Sequence, residues 1–214
     1  MCISASEKIR SITVSNLRHN FLPNFILSVL LLLLTPFVFG TANVDAKAAA
    51  IPLEMFISLI GIILFTPLFL PEQHENIRDV VESKVTTSIY VYGIRIGIAL
   101  LGILALIAAF SLYMKENGCS IDFTPAVFGT FSSSFFLGAL GMFAYGLSDT
   151  LIVGYMAPMV YYMLNLFGGK KCFGKLYLFS MSSGSMAEKY WLFSAAIILI
   201  VSALWIRSNS KHHQ

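Results

Sequence analysis

Between Arg18 and Asp45 the chain carries no charged side chain, and Val29-Leu30-Leu31-Leu32-Leu33-Leu34 forms an unbroken apolar run inside that stretch. A helix needs about 20 largely apolar residues to cross a hydrocarbon core of roughly 30 Å. Charges are costly in lipid and so mark the ends of a crossing. The first span is therefore expected at about 21–40. The same reading gives spans at about 52–70, with Glu54 in the first turn, and at about 89–114, with Arg95 near the start. Residues 123–167 hold one charge, Asp149. At ~1.5 Å per residue that stretch is too long for one crossing and long enough for two. A turn at Gly146-Leu147-Ser148-Asp149 divides it into spans at about 126–147 and 150–167. The sixth span is expected at about 190–206. The apolar runs lack the period-two alternation of barrel strands, so they are read as helices.

Composition supports this reading. Of the 214 residues, 57% are hydrophobic and 12% charged, against about 25% charged in a soluble domain. One soluble core of this size cannot hide that excess, and the bilayer must solvate much of the surface. The net charge of +3 is spread along the chain, without the basic and aromatic cluster that nucleic acid would require. Cys2, Cys119 and Cys172 are too few and too scattered for a disulfide framework or a zinc site. A Cys119–Cys172 bridge stays open beside two unbridged thiols. Residues 1–20 are too polar for a signal-peptide core, and the N-terminus is expected to be retained.

The lysines and arginines orient the bundle. With the N-terminus inside, the inner pieces carry Lys8, Arg10, Arg18, Arg78, Lys84, Arg95, Arg207 and Lys211. The outer pieces carry Lys47, Lys115, Lys170, Lys171, Lys175 and Lys189. The expectation is a multi-pass cell-membrane protein, of bacterial type, with both termini cytoplasmic.

The most informative segment joins spans two and three. It reads Pro71-Glu72-Gln73-His74-Glu75-Asn76-Ile77-Arg78-Asp79-Val80-Val81-Glu82-Ser83-Lys84. Proline suits a first helical turn. Glu72 and Glu75 suit the positive end of the helix dipole, and Lys84 the other end. Ile77, Val80, Val81 and Lys84 follow helical spacing, so one narrow face is apolar. A short amphipathic helix over 72–84 is expected. Residues 6–21, where Val14, Leu17 and Phe21 share a face, are expected to form an interfacial helix before span one.

In this segment the chain resembles the ABC-2 type permeases, the transmembrane subunits of ABC transporters. The resemblance rests on the acidic start, the Asn76–Val81 core, Ser83 and the basic Arg95, together with the topology of two spans, a cytoplasmic helix and four spans. Asn76 departs from the family's usual glycine, and Lys84-Val85 from its small-residue–proline step. The resemblance implies a coupling helix in which Glu72, Glu75, Ile77, Arg78, Asp79, Val80 and Val81 dock on a separate ATPase. Beside it stands an amphipathic helix lying on the lipid surface. Four carboxylates against two cations would be repelled by anionic lipid, which favours coupling. The resemblance also implies two ATPase copies, which would hold the ATP and magnesium, and a second permease copy or homologous chain. It further implies short re-entrant or extracellular helices over 168–189, where an ordinary basic surface loop is the alternative.

No Walker A loop is present, since Gly169-Lys170-Lys171 lacks the upstream glycine and the terminal Ser/Thr. The chain is expected to have no catalytic, cofactor or metal site of its own. His19, His74, His212 and His213 lie outside the expected spans. Ser132-Ser133-Ser134 has no evident base beside it and reads as a helix-packing patch. The pairs Gly93/Gly97, Gly129/Ser133 and Ser134/Gly138 have the small-xxx-small spacing of close helix contacts. With only Arg95 near a span, the path is expected to be apolar and aromatic. That suits hydrophobic or amphipathic cargo, such as exported peptides of the bacteriocin or toxin kind. A non-transport membrane protein, whether scaffold subunit or membrane enzyme, is the alternative.

Overall fold

A computed structural model describes residues 21–40, 44–68 and 88–210. Among these residues every regular element is helical. In chain order they are α1 (Leu22–Phe39), α2 (Ala46–Met55), α3 (Ile60–Phe65), α4 (Ser88–Glu116), α5 (Phe123–Ser148), α6 (Leu151–Phe173) and α7 (Ala187–Ser210). The 3-10 turn Ile57–Leu59 joins α2 to α3, so these two form one crossing, Ala46–Leu68. Among the described residues six helical segments are long and apolar enough to span a membrane, as the apolar runs predict. The described fold is all-helical, with the candidate crossings of a polytopic membrane protein. The expected N-terminal interfacial helix, apart from Phe21, and the expected 72–84 helix fall outside the described residues.

The span limits differ from expectation where helix-forming residues continue past a charge. Span two begins at Ala46, not near Pro52. The alanines at 46 and 48–50 are strong helix formers, and Lys47 stays exposed at the helix start. Glu54 therefore lies about 12 Å below Ala46 at 1.5 Å per residue, well inside the span. Span six begins at Ala187, which places Lys189 inside it. Span five runs on until Gly169, whose φ of 62° breaks the helix before a further turn at 170–173. The turn after α5 forms as expected, with Asp149 left-handed at φ 51°. That conformation is one that Asp tolerates better than most residues.

Helix α5 is the central element, with Phe135, Phe136, Leu137, Ala139, Met142 and Tyr145 all buried. Its contact with α3 is a backbone contact. A Cβ on Gly61 would stand 1.8 Å from the carbonyl oxygen of Ser134, and one on Gly138 would stand 2.7 Å from that of Gly61. The Ser134/Gly138 pair is thus used as its spacing predicts. The Gly93/Gly97 pair meets nothing within 4 Å, so among the described residues it packs no helix. The outer faces of α1, α6 and α7 expose Leu30, Phe37, Ile152, Phe167 and Ile198, as lipid-facing surfaces do.

Connectivity sets two ends. At one lie the 40–45, 117–122 and 174–186 connections, and the Ser120 N–H donates to the Val44 carbonyl across 3.2 Å. At the other lie the α5–α6 turn and the end of α7, joined by the Arg207–Asp149 ion pair. Arg95 is buried at this second end and donates to the Leu68 carbonyl at 3.0 Å.

Candidate functional site

Pro52 has no N–H to donate and its ring crowds the preceding turn. Soon after it the α-helix ends at Met55 and a 3-10 turn follows over Ile57–Leu59. Carbonyls in this region also accept from side chains. Tyr162 Oη donates to Met55 O at 2.9 Å. Ser134 Oγ lies 3.0 Å from Ser58 O and 3.3 Å from Ile57 O. Ser58 Oγ donates to Glu54 O. In lipid such partners must come from the protein, which explains why hydroxyl side chains converge on this level.

At the same level the chain between α6 and α7 turns back into the bundle. Tyr161 lies seven residues before Gly168, or roughly 10 Å along the helix. Yet Phe173 packs on its ring at 5.5 Å, and its hydroxyl donates to Leu176 O at 2.6 Å. Leu178, Phe179 and Ser180 are buried. Non-helical backbone at this depth needs partners, and several are supplied by side chains. The Leu178 N–H donates to Asn165 Oδ1 at 3.1 Å. Ser182 Oγ donates to Phe179 O at 2.9 Å, and Ser183 Oγ to Ser180 O at 2.8 Å.

Two charges anchor this re-entrant segment. Lys189 Nζ lies 2.6 Å from Glu54 Oε1, and both side chains are 0% exposed. Glu54 Oε1 also accepts the Met181 N–H at 2.8 Å, and Oε2 accepts the Ser182 N–H at 3.0 Å. The ammonium has three donors and three acceptors around it: the Glu54 carboxylate, Ser133 Oγ at 2.7 Å and the Leu178 carbonyl. Spans two, four and six thereby meet the segment at one point. A second pair sits beside it. Glu188 accepts from Ser185 Oγ and lies 2.7 Å from Lys170.

This arrangement corrects two sequence expectations. Glu54 and Lys189 read as boundary charges, one in a first turn and one in an outer loop, and they are instead a buried pair. Ser133, read as having no base nearby, has Lys189 within hydrogen-bond reach. The same ammonium is engaged by the Glu54 carboxylate. Lys189 donates to Ser133, and Ser133 Oγ is turned toward Leu178 O at 3.4 Å. Ser133 is also 0% exposed. A cavity of about 160 Å³ lies elsewhere, lined by Phe39, Val44, Ile51, Pro52 and Met114. The polar centre joins the non-helical segment to spans two, four and six.

The expected coupling residues Glu72, Glu75, Ile77, Arg78, Asp79, Val80 and Val81 lie outside the described residues. Cys119 is buried, Cys172 is exposed, and no disulfide joins them. One signal for the polar centre was available in the sequence: Glu54 and Lys189 are opposite charges, each within a few residues of apolar runs from different spans. No protein-family model, no curated protein and no solved structure matches the chain.

Proposed function

We propose that this chain is the membrane-spanning subunit of an ATP-driven exporter of the ABC-2 kind, working with a separate ATPase and moving hydrophobic or amphipathic cargo, including peptides. One feature supports this above others. The re-entrant segment 177–185 is seated inside the bundle at the end opposite the 69–87 connection. Non-helical backbone at membrane depth is tolerated where it is buried in protein or lines a path. A motor docked at one end could act on a segment seated at the other, which is how this reading uses it. The residue pattern of 72–84 supports the docking end. On this reading Ile77, Val80 and Val81 face the ATPase, and Glu72, Glu75, Arg78 and Asp79 rim the contact. Two ATPase copies, carrying the ATP and magnesium, and a second permease chain complete the complex. The 69–87 connection and both termini are cytoplasmic.

The completeness of the polar centre favours a second reading, a scaffold subunit whose buried pair only braces the fold. Co-purification separates the two. The full chain should bring down an ATPase subunit, and the Val80→Asp/Val81→Asp variant should not. An unpaired charge in a buried contact costs several kcal/mol, on the order of what holds a micromolar complex. A well-folded double variant that still binds and stimulates the ATPase would remove the transporter reading.

A further inference from the structure

Two glycines with positive φ bracket the last turn of α6. Gly169 has φ 62° and Gly174 φ 51°, and a Cβ on either would meet nothing within 4 Å. They are there for chain direction, not for packing. The bracketed turn carries Lys170 and Lys171, and Lys175 follows in the 3-10 turn Gly174–Leu176; all three are exposed. Lys175 Nζ stands 4.6 Å from the centre of the Trp191 ring. Lys170 is 2.7 Å from Glu188, and that carboxylate is the one acidic group it meets there. Among the described residues that ion pair engages one of the three ammonium groups, and Lys171 and Lys175 stand in no ion pair. The apolar side of the same rim is bare. Phe167 is 84% exposed, and Trp191 and Tyr190 are more than half exposed.

A charged rim above an exposed aromatic and apolar flank is the chemistry of a bilayer interface. Tryptophan and tyrosine settle at headgroup level. Basic side chains near a membrane surface attract anionic lipid. A soluble acidic partner would leave Phe167 and Trp191 without cover, whereas a lipid satisfies both parts, with its phosphate on the lysines and its chains on the rings. We propose that the rim formed by Lys170, Lys171 and Lys175 beside Trp191 selects an anionic phospholipid headgroup in the leaflet at that end. This stands apart from the transporter reading and holds whether or not an ATPase binds.

The chain has two tryptophans, so Trp205→Phe leaves Trp191 as the reporter. The full-length variant is placed in phosphatidylcholine vesicles that contain a minor fraction of lipid brominated near the headgroup. That lipid is either phosphatidylglycerol or phosphatidylcholine. Trp191 should be quenched with an apparent preference of about fivefold for the anionic lipid. Lys170→Gln/Lys171→Gln/Lys175→Gln should reduce the preference to near one, with quenching by brominated phosphatidylcholine unchanged. Should the triple variant fail to insert, Lys171→Gln alone should still lower the preference. Equal quenching by both lipids in the parent would overturn the proposal. So would a preference that survives the triple replacement. Loss of the preference on adding inorganic phosphate or an acidic peptide at matched ionic strength would assign the rim to a soluble anion and overturn the lipid assignment.

Discussion

Moving a carboxylate and an ammonium out of water costs several kcal/mol each, and their attraction offsets this only when their other hydrogen-bonding groups are also filled. Glu54 and Lys189 meet that condition, because Met181, Ser182, Ser133 and Leu178 occupy the remaining sites. Removing one partner leaves the other charge buried and alone. Glu54→Gln or Lys189→Met should each lower stability by about 3–5 kcal/mol. The double replacement should recover more than half of that loss, since no lone charge remains. Thermal unfolding of the purified protein in detergent measures all three. Strictly additive losses would show that the two residues act independently, and the polar centre would lose its meaning. The sequence hid this pair for a physical reason. A charge beside an apolar run reads as the edge of the membrane, and only tertiary packing reveals that Glu54 and Lys189 share one interior point. The serine triplet was legible as a backbone-bonding patch, and Ser134 does bond backbone, at Ile57 and Ser58.

At the scale of helices, the tightest constraint is the crossing of α3 on α5. A methyl group on Gly61 would overlap the Ser134 carbonyl, a backbone atom that cannot turn aside. Gly61→Ala should therefore force the helices apart and lower stability by about 1–3 kcal/mol or more. Gly97→Ala meets open space and removes a flexible residue from a helix interior, so stability should hold or rise by about 0.5–1 kcal/mol. Comparing the two variants in the same detergent separates packing from propensity. A Gly61→Ala protein as stable as the parent would mean that α3 and α5 do not touch through their backbones. The existence of each span was legible, because length and hydropathy alone satisfy the bilayer. Spacing also flagged Ser134 and Gly138, but it flagged Gly93 and Gly97 equally well. Only the register between helices decides which small pair meets a neighbour, and register is not written in one helix. The re-entrant segment was half legible. Tyr177, Leu178 and Phe179 supply apolar side chains, while the partners that make their depth possible, Asn165, Tyr161 and Glu54, are distant in sequence.

For the whole molecule, the open question with the sharpest test is which end faces the cytoplasm. Lysine and arginine near the span ends set orientation, and acidic residues contribute little. Eight such charges belong to the end with the termini and six to the other by sequence count. The structure removes Lys189 from the second group, because it is buried against Glu54 rather than held in a loop, leaving five. Arg95 leaves the first group by the same test, since it is buried inside span three, so the excess of two at the end with the termini is unchanged and still favours that end as cytoplasmic. The fold adds an independent constraint. Lys47 begins α2 and Lys115 nearly ends α4, both exposed, and the Ser120–Val44 hydrogen bond ties their two connections together. Whatever the orientation, these two positions must share a side. In a chain with Cys2, Cys119 and Cys172 changed to serine, Lys47→Cys and Lys115→Cys should react with an impermeant maleimide on intact cells. Arg78→Cys should react only after the membrane is opened. Labelling of position 78 alone in intact cells would invert the bundle and place the proposed coupling helix where no ATPase can reach it. Labelling of only one of positions 47 and 115 would contradict the six-span arrangement itself.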